Sequence, residues 1–270
     1  MRLAFIGGGN MARAIIGGLI AKGTGADEIL AVEVDAQARA RLAKEHGVEA
    51  VEHPGPQLAH ADAVIFAVKP QQMREAALAV APHLRGCLVV TIAAGIRLMD
   101  LSRWLGGYER LVRAMPNTPA LVHAGVTGLF ASDYVGTEDR ATAQKLMAAV
   151  GAVAWFDAES DLDAVTAVSG SGPAYVFYVI EALEAAARDL GIEPEAARAL
   201  ALWTFAGATK LAVESGGDPA KLREQVTSKG GTTERALEVL DAARVKERFS
   251  QAVRAAAERS REIGDAFGKD

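Results

Sequence analysis

Two glycine turns are the places where this chain could do chemistry. The later one reads Thr227-Ser228-Lys229-Gly230-Gly231-Thr232-Thr233 and leads directly into the helical run Glu234–Leu240. Glycines followed by hydroxyl residues at a helix start present free backbone N–H groups at the positive end of the helix dipole, a combination that binds anions. The earlier one, Gly7-Gly8-Gly9-Asn10-Met11-Ala12, lies between the apolar run Leu3–Ile6 and the helical pattern Met11–Ala21. Two anion sites in one chain point to an enzyme with two ligands, a cofactor phosphate and a small acidic substrate.

The early turn fits the G-x-G-x-x-A form. Gly7 permits the tight turn, Gly9 lets the backbone approach a pyrophosphate, and Ala12 allows close helix–strand packing. Such a motif is informative only after a strand and before a helix, and that is its setting here. Glu33 follows Gly9 by 24 residues, near the ~20 expected of a carboxylate that bonds the adenine ribose diol. Asp35 is close behind, and the nearest cation is Arg39, which could swing in. A 2′-phosphate beside Glu33 would meet like-charge repulsion. The reading therefore leans to NADH over NADPH; the competing one makes Glu33 a solvated strand-end carboxylate.

Further motifs fall at strand ends, where open α/β sheets bind ligands. Ala67-Val68-Lys69-Pro70 closes the strand Ala63–Ala67, with Lys69 able to reach cofactor phosphate or ribose and Pro70 suited to the next helical turn. Ala93-Ala94-Gly95 closes Leu88–Ile92 and leaves room for a flat nicotinamide, although a tight loop alone would explain it. Met115-Pro116-Asn117-Thr118-Pro119 closes Leu111–Ala114 as a stiff loop, and Asn117 is taken as a ligand contact. Ser169-Gly170-Ser171-Gly172-Pro173 opens a long apolar helix; Ser171 or Gly172 is expected to be its N-cap and Pro173 its first residue.

The elements that must position these residues follow from the apolar pattern. Strands at Leu3–Ile6, Ile29–Glu33, Ala63–Ala67, Leu88–Ile92 and Leu111–Ala114 alternate with helices, predicting a Rossmann-type α/β doubly wound sheet with right-handed crossovers. Val126–Ala131 and Val153–Phe156 extend it. After Asp157 helical patterns dominate, among them the strongly apolar Ala174–Leu190 and Pro194–Glu214. Helices with so little polar face must be buried, so an all-helical C-terminal domain is expected to form a homodimer through them. The expected division is 1–158 for the dinucleotide domain and 159–270 for the helical, substrate-binding and dimerisation domain, with Gly264–Asp270 frayed.

The net charge of −5 and the absence of a basic stripe speak against a nucleic-acid partner. No apolar stretch is long enough for a bilayer, and no signal segment is visible. The histidines show no metal-ligand spacing, so no metal is expected. Cys87, in an apolar run, reads as a buried small hydrophobe. A single cysteine makes the cytoplasm the default location.

Taken together, Ile6–Ala12, Ala67–Pro70, Ala93–Gly95, Met115–Ala120, Ser169–Tyr175 and Thr227–Thr233 resemble pyrroline-5-carboxylate reductase in order and spacing, over essentially the whole chain. The resemblance implies reduction of (S)-1-pyrroline-5-carboxylate to L-proline with NADH or NADPH, the last step of proline biosynthesis. It implies dimers interlocked through the helical domain, often assembled as pentamers of dimers (decamers). By position it makes Gly7 to Met11, Ala67 to Pro70 and Ala93-Ala94 cofactor contacts. The anion turn Gly230, Gly231, Thr232 and Thr233 becomes the substrate site, with Thr233 near the ring nitrogen as the catalytic hydroxyl. Two departures stand out. Many members carry Asn-Arg or Ser-containing turns after the second strand, where this chain has Glu33-Val34-Asp35. Many also have proline where Lys229 stands.

Two other readings compete. Another imine or β-hydroxyacid reductase of the same plan would usually show a catalytic Lys or Asp in the long helix, yet Ala174-Tyr175-Val176-Phe177-Tyr178 offers no Lys. A non-catalytic dinucleotide-binding redox sensor would not need the Gly230–Thr233 turn.

Overall fold

The computed structural model describes residues 1–268. Among these, eight strands form one sheet: β1 (Leu3–Ile6), β2 (Ile29–Val32), β3 (Glu49–Val51), β4 (Ala63–Phe66), β5 (Leu88–Thr91), β6 (Leu111–Met115), β7 (Gly125–Ala131) and β8 (Gly151–Trp155). The order is β3-β2-β1-β4-β5-β6-β7-β8. All neighbours run parallel except β6 and β7, whose register sets Val112 against Ala131. The order reverses direction beside β1, which creates the crevice used by ligands in doubly wound sheets.

Strand residues are apolar on both faces because helices cover both. Leu3 and Phe5 join the core built with α1 (Asn10–Ala21), α2 (Ala36–His46) and α5 (Thr137–Ala148). Ala4 and Ile6 point the other way, into the core of α3 (Met73–Val80) and α4 (Leu98–Trp104). The alternation is the period-2 consequence of a pleated strand. Each fully buried large side chain among these, such as Phe5 or Ile15, contributes about 1.5–3 kcal/mol over its exposed form.

Downstream lie α6 (Asp161–Val165), a π-helical turn Thr166–Gly170, and α7 (Gly172–Asp189). The expected N-cap at Ser171 or Gly172 is not formed. Ser171 has helical backbone angles, and its N–H donates to the Thr166 carbonyl at 2.8 Å. The preceding helical turns already supply what a cap would, so none is required. Next come α8 (Pro194–Ser215), α9 (Pro219–Gln225), α10 (Thr232–Ala242) and α11 (Val245–Phe267).

The chain forms two compact units. One comprises Met1–Ser171 and the chain from Ala255 onward, the other Gly172–Arg254. This differs from a cut near residue 158 for two physical reasons. Val165 and Leu162 of α6 pack directly over Gly128 of β7, and the last turns of α11 belong to the first unit. There Ser260 donates to Asp163 at 2.7 Å, Arg97 pairs with Asp265 at 2.5 Å, and Phe267 packs on the α3–α4 core. The expected fraying from Gly264 is thus corrected: Gly264 is buried and α11 is helical to Phe267. Lys269 and Asp270 lie outside the described residues.

In the second unit, apolar side chains of α7 and α8 face outward. Phe177, Tyr178, Trp203 and Val213 are all more than half exposed, and α7 has no buried residue.

Candidate active site

The first anion turn is set by β1 running into α1. Gly7 has φ +99°, a left-handed conformation, and a Cβ there would stand 2.9 Å from the Ala67 carbonyl carbon. Its N–H donates to the Val32 carbonyl at 2.8 Å. Only glycine satisfies both demands. A Cβ on Gly9 would meet nothing within 4 Å, so the backbone here borders open space. Gly9 is the N-cap of α1, which has neither a side-chain cap nor an acidic residue in its first turn. Uncapped N–H groups at a helix start with no competing carboxylate fit a pyrophosphate. The residues present therefore suit a dinucleotide.

That turn forms the floor of a cleft of roughly 630 Å³ at the carboxyl ends of β1, β2 and β4. The structure brings Gly7, Gly8, Gly9, Glu33, Ala67, Val68 and Lys69 together on its wall. Asn10 and Met11 follow β1, Pro70 follows β4, and Ala93 and Ala94 follow β5, and none of them is part of that wall. Ala93 is buried, and Gly95 after it has φ +76° and presses on Ile263 of α11.

Asn117, expected as a ligand contact, has a structural task in the described residues. Its side chain is buried, Oδ1 accepts the Val126 N–H at 2.9 Å, and Nδ2 donates to the Ser169 carbonyl at 3.2 Å. Both ends of the amide are committed to holding backbone.

Glu33 carries more structure than a free ribose ligand would. One carboxylate oxygen accepts the Gly8 N–H at 2.7 Å, and the other accepts the Asp35 N–H at 2.8 Å. The carboxylate thus pins the glycine turn to the end of β2. Each oxygen has a second lone pair, so ribose hydroxyls can still bond to it.

Sequence reasoning missed Glu52 and His53, which follow β3 and line the cleft, as well as Gln72 and Glu75 from the neighbourhood of α3. The signal for the first pair was the chain position after a third strand, and β3 itself was not recognised.

The second anion turn, described by itself, begins α10. Gly230 has φ +72°, Gly231 is the N-cap, and no side chain caps the helix. Thr232 and Thr233 occupy its first turn. The Gly230 N–H donates to a Glu234 carboxylate oxygen at 2.6 Å. The turn therefore already holds a carboxylate, one supplied by its own helix.

Cys87 stands apart from both turns, and burial pushes its thiol above the usual range. This does not fit a nucleophile, which needs a lowered pKa.

Sheet order, glycine turn and cleft define a Rossmann-type oxidoreductase of the NAD(P)-binding class. Residues 159–263 match the family model described as pyrroline-5-carboxylate reductase dimerisation, and residues 2–95 match that described as NADP oxidoreductase, coenzyme F420-dependent. The chain is 44% identical over 269 residues to the pyrroline-5-carboxylate reductase of Pseudomonas aeruginosa, covering 99% of this chain and 98% of that one. A pyrroline-5-carboxylate reductase structure from Coxiella burnetii superposes with a TM-score of 0.93 at 39% identity, covering 97% of this chain and 98% of the other. The Plasmodium falciparum pyrroline carboxylate reductase, solved with NADP bound, gives 0.85 at 27% identity over 98% of both. The chain belongs to the pyrroline-5-carboxylate reductase family.

Proposed function

We propose that this chain reduces (S)-1-pyrroline-5-carboxylate to L-proline with NADH or NADPH, the closing step of proline biosynthesis. The observation that carries this reading is full-length likeness to relatives of that name, combined with an intact glycine cradle. A reduced nicotinamide dinucleotide supplies hydride when bound.

The chain's own residues do the rest. Gly7, Gly8, Gly9, Asn10 and Met11 hold the pyrophosphate at the start of α1. Ala67 to Pro70 and Ala93-Ala94 border the ribose and nicotinamide. In the second unit, Gly230, Gly231 and Thr232 take the substrate carboxylate on the N-terminus of α10. On this reading the substrate carboxylate displaces the Glu234 carboxylate from the Gly230 N–H. The Thr233 hydroxyl donates a hydrogen bond to the ring nitrogen, polarising the C=N bond. Glu33, with Asp35 behind it, favours NADH, since a 2′-phosphate there would face two carboxylates.

The outward apolar faces of α7 and α8 are the surface through which two copies associate, and decamers are the higher assembly this family reading implies. The first unit carries the cofactor function, and Gly172–Arg254 the substrate and dimer functions. A cytoplasmic location follows from the single unpaired cysteine. No described helix is long and apolar enough to cross a membrane.

The test is oxidation of NADH and NADPH by purified protein in the presence of pyrroline-5-carboxylate. Turnover with proline as product is expected. Tight NADH binding with zero turnover would replace the enzyme by a redox sensor. Thr233→Ala followed in a single turnover is expected to slow hydride transfer; an unchanged rate and unchanged substrate affinity would remove Thr233 from the site.

A further inference from the structure

The adenosine end of the cleft contains an ion pair whose placement has a chemical consequence. The Arg39 guanidinium donates through one nitrogen to the Glu33 carbonyl at 2.7 Å and the Val34 carbonyl at 2.8 Å. Its other terminal nitrogen meets a Glu52 carboxylate oxygen at 3.0 Å. The side chain is only 20% exposed, whereas Glu52 is 53% exposed. Glu52 arrives there because β3 pairs with β2 in parallel and the Glu33 N–H continues the ladder to the Val51 carbonyl at 2.9 Å. Glu33, Val34, Asp35, Glu52 and His53 line the cleft, and Arg39 does not.

The carbonyls at the end of β2 and one carboxylate therefore occupy the guanidinium that lies behind this end of the cleft. A guanidinium is the group best suited to a 2′-phosphate, because its planar donors match the phosphate oxygens. Here that group is turned away from the wall, and the wall keeps four carboxylates, Glu33, Asp35, Glu52 and Glu75. His53 Nε2 lies 3.5 Å from Glu52, which gives Glu52 a second cationic neighbour only when that imidazole is protonated.

We propose that Glu52 is a specificity-determining residue of the cofactor site. By holding Arg39 against the β2 carbonyls, and by adding its own charge to the wall, it makes the site select a 2′-hydroxyl over a 2′-phosphate. This rests on the reading that the cleft takes a nicotinamide dinucleotide. It goes beyond the assignment to Glu33, because the residue comes from β3 and acts on Arg39 as a positioning residue.

The experiment titrates NADH and NADPH, by the fluorescence of the reduced nicotinamide, into wild type, Glu52→Gln, Arg39→Ala and the double variant. The same preparations then give kcat and KM with each cofactor. Both cofactors are measured on one preparation, so a misfolded fraction cancels from the ratio. Glu52→Gln is expected to raise the NADPH-to-NADH affinity ratio roughly five- to tenfold, the scale of one surface charge near a phosphate. The change should lie in the Kd and KM for NADPH, with kcat little moved. Arg39→Ala alone should shift the ratio by less than about twofold, because Arg39 does not serve the wild-type site. Adding it to Glu52→Gln should remove most of the gain.

An unchanged ratio in Glu52→Gln overturns the proposal. So does a tenfold loss of NADPH affinity in Arg39→Ala, which would show Arg39 already on the phosphate. A wild type that binds both cofactors without turnover defeats the proposed reaction, while the Kd ratios still decide the role of Glu52. A wild type preferring NADPH overturns both the Glu33 argument and this proposal, because the site would then not select the 2′-hydroxyl.

Discussion

Asn117 and Ser169 are tied side chain to backbone: the Asn117 amide donates to the Ser169 carbonyl at 3.2 Å. The same side chain accepts the Val126 N–H, so one buried amide joins the loop after β6, the start of β7 and the π-helical turn before α7. A π-turn leaves carbonyls out of the ordinary α-helical ladder, and Asn117 supplies a donor to one of them.

Asn117→Ala therefore leaves a partly buried N–H and a partly buried carbonyl unpaired. A loss of about 2–4 kcal/mol is expected from two such groups. Urea unfolding should show the midpoint falling with the slope unchanged. Asn117→Asp keeps the acceptor for Val126 but loses the donor to Ser169 and adds a charge, so it should not rescue. If either variant matches wild type in stability while weakening cofactor affinity, Asn117 is a ligand contact after all.

Gly7→Ala tests the cradle. The substitution forces a left-handed residue and sets a methyl 2.9 Å from backbone and from Val68 Cγ1. Conformational strain alone costs about 1–2 kcal/mol, and the clash adds to it. Cofactor affinity should fall more steeply than stability, because the turn must move from the cleft floor. Differential scanning calorimetry paired with NADH titration separates the two effects.

Arg113 and Glu159 form a partly buried pair at 3.1 Å, with Arg113 only 5% exposed, and the same Glu159 oxygen accepts the Leu98 N–H at 2.8 Å. Glu159→Ala strands a buried guanidinium and uncaps α4, at a cost of about 3–5 kcal/mol. Replacing both partners by apolar residues, Arg113→Met with Glu159→Leu, should recover most of the charge penalty but not the cap. Chemical denaturation of the single and double variants measures the difference.

Base should destabilise the first unit. Burial holds the Cys87 thiol above its ordinary value of 9.0 and the Tyr108 phenol above 10.0, the latter further raised by its contact with Cys87. The folded state therefore keeps protons that the unfolded chain releases, and stability is fully present below the ordinary values. It is expected to fall as pH climbs past about 9, the ordinary thiol value. Thermal melts from pH 8 to 11 should show this, with a shallower decline in Cys87→Ala. Alkylation of the native protein at neutral pH should be slow, because the thiol stays protonated and covered.

Most of the sheet was legible because buried parallel strands are short apolar runs between helical patterns, as at Ala63–Phe66 and Leu88–Thr91. β3 was not, since Glu49-Ala50-Val51 is a brief, partly exposed edge with no apolar run to announce it. With it went Glu52 and His53, whose relevance depends on the pairing of β3 with β2, Val51 beside Val32. The glycine cradle was readable because Gly7 and Gly9 are required by backbone geometry, which leaves a trace in residue type. The backbone role of Asn117 was not legible for the opposite reason: an asparagine that binds backbone and one that binds a ligand are the same letter. The end of α11 was hidden by its small residues. Gly264 reads as the start of a frayed end, yet it is small because it packs closely, against the Gly95 carbonyl and Arg97.

That last packing has a consequence for how the chain is made. The first unit holds the N-terminal residues of the polypeptide and also needs Ala255 to Phe267. During synthesis it emerges early but waits, its loop after β5 uncovered, until the final turns of α11 leave the ribosome. Gly172–Arg254 is thus synthesised between the two pieces of its neighbour, while that unit still lacks its second piece.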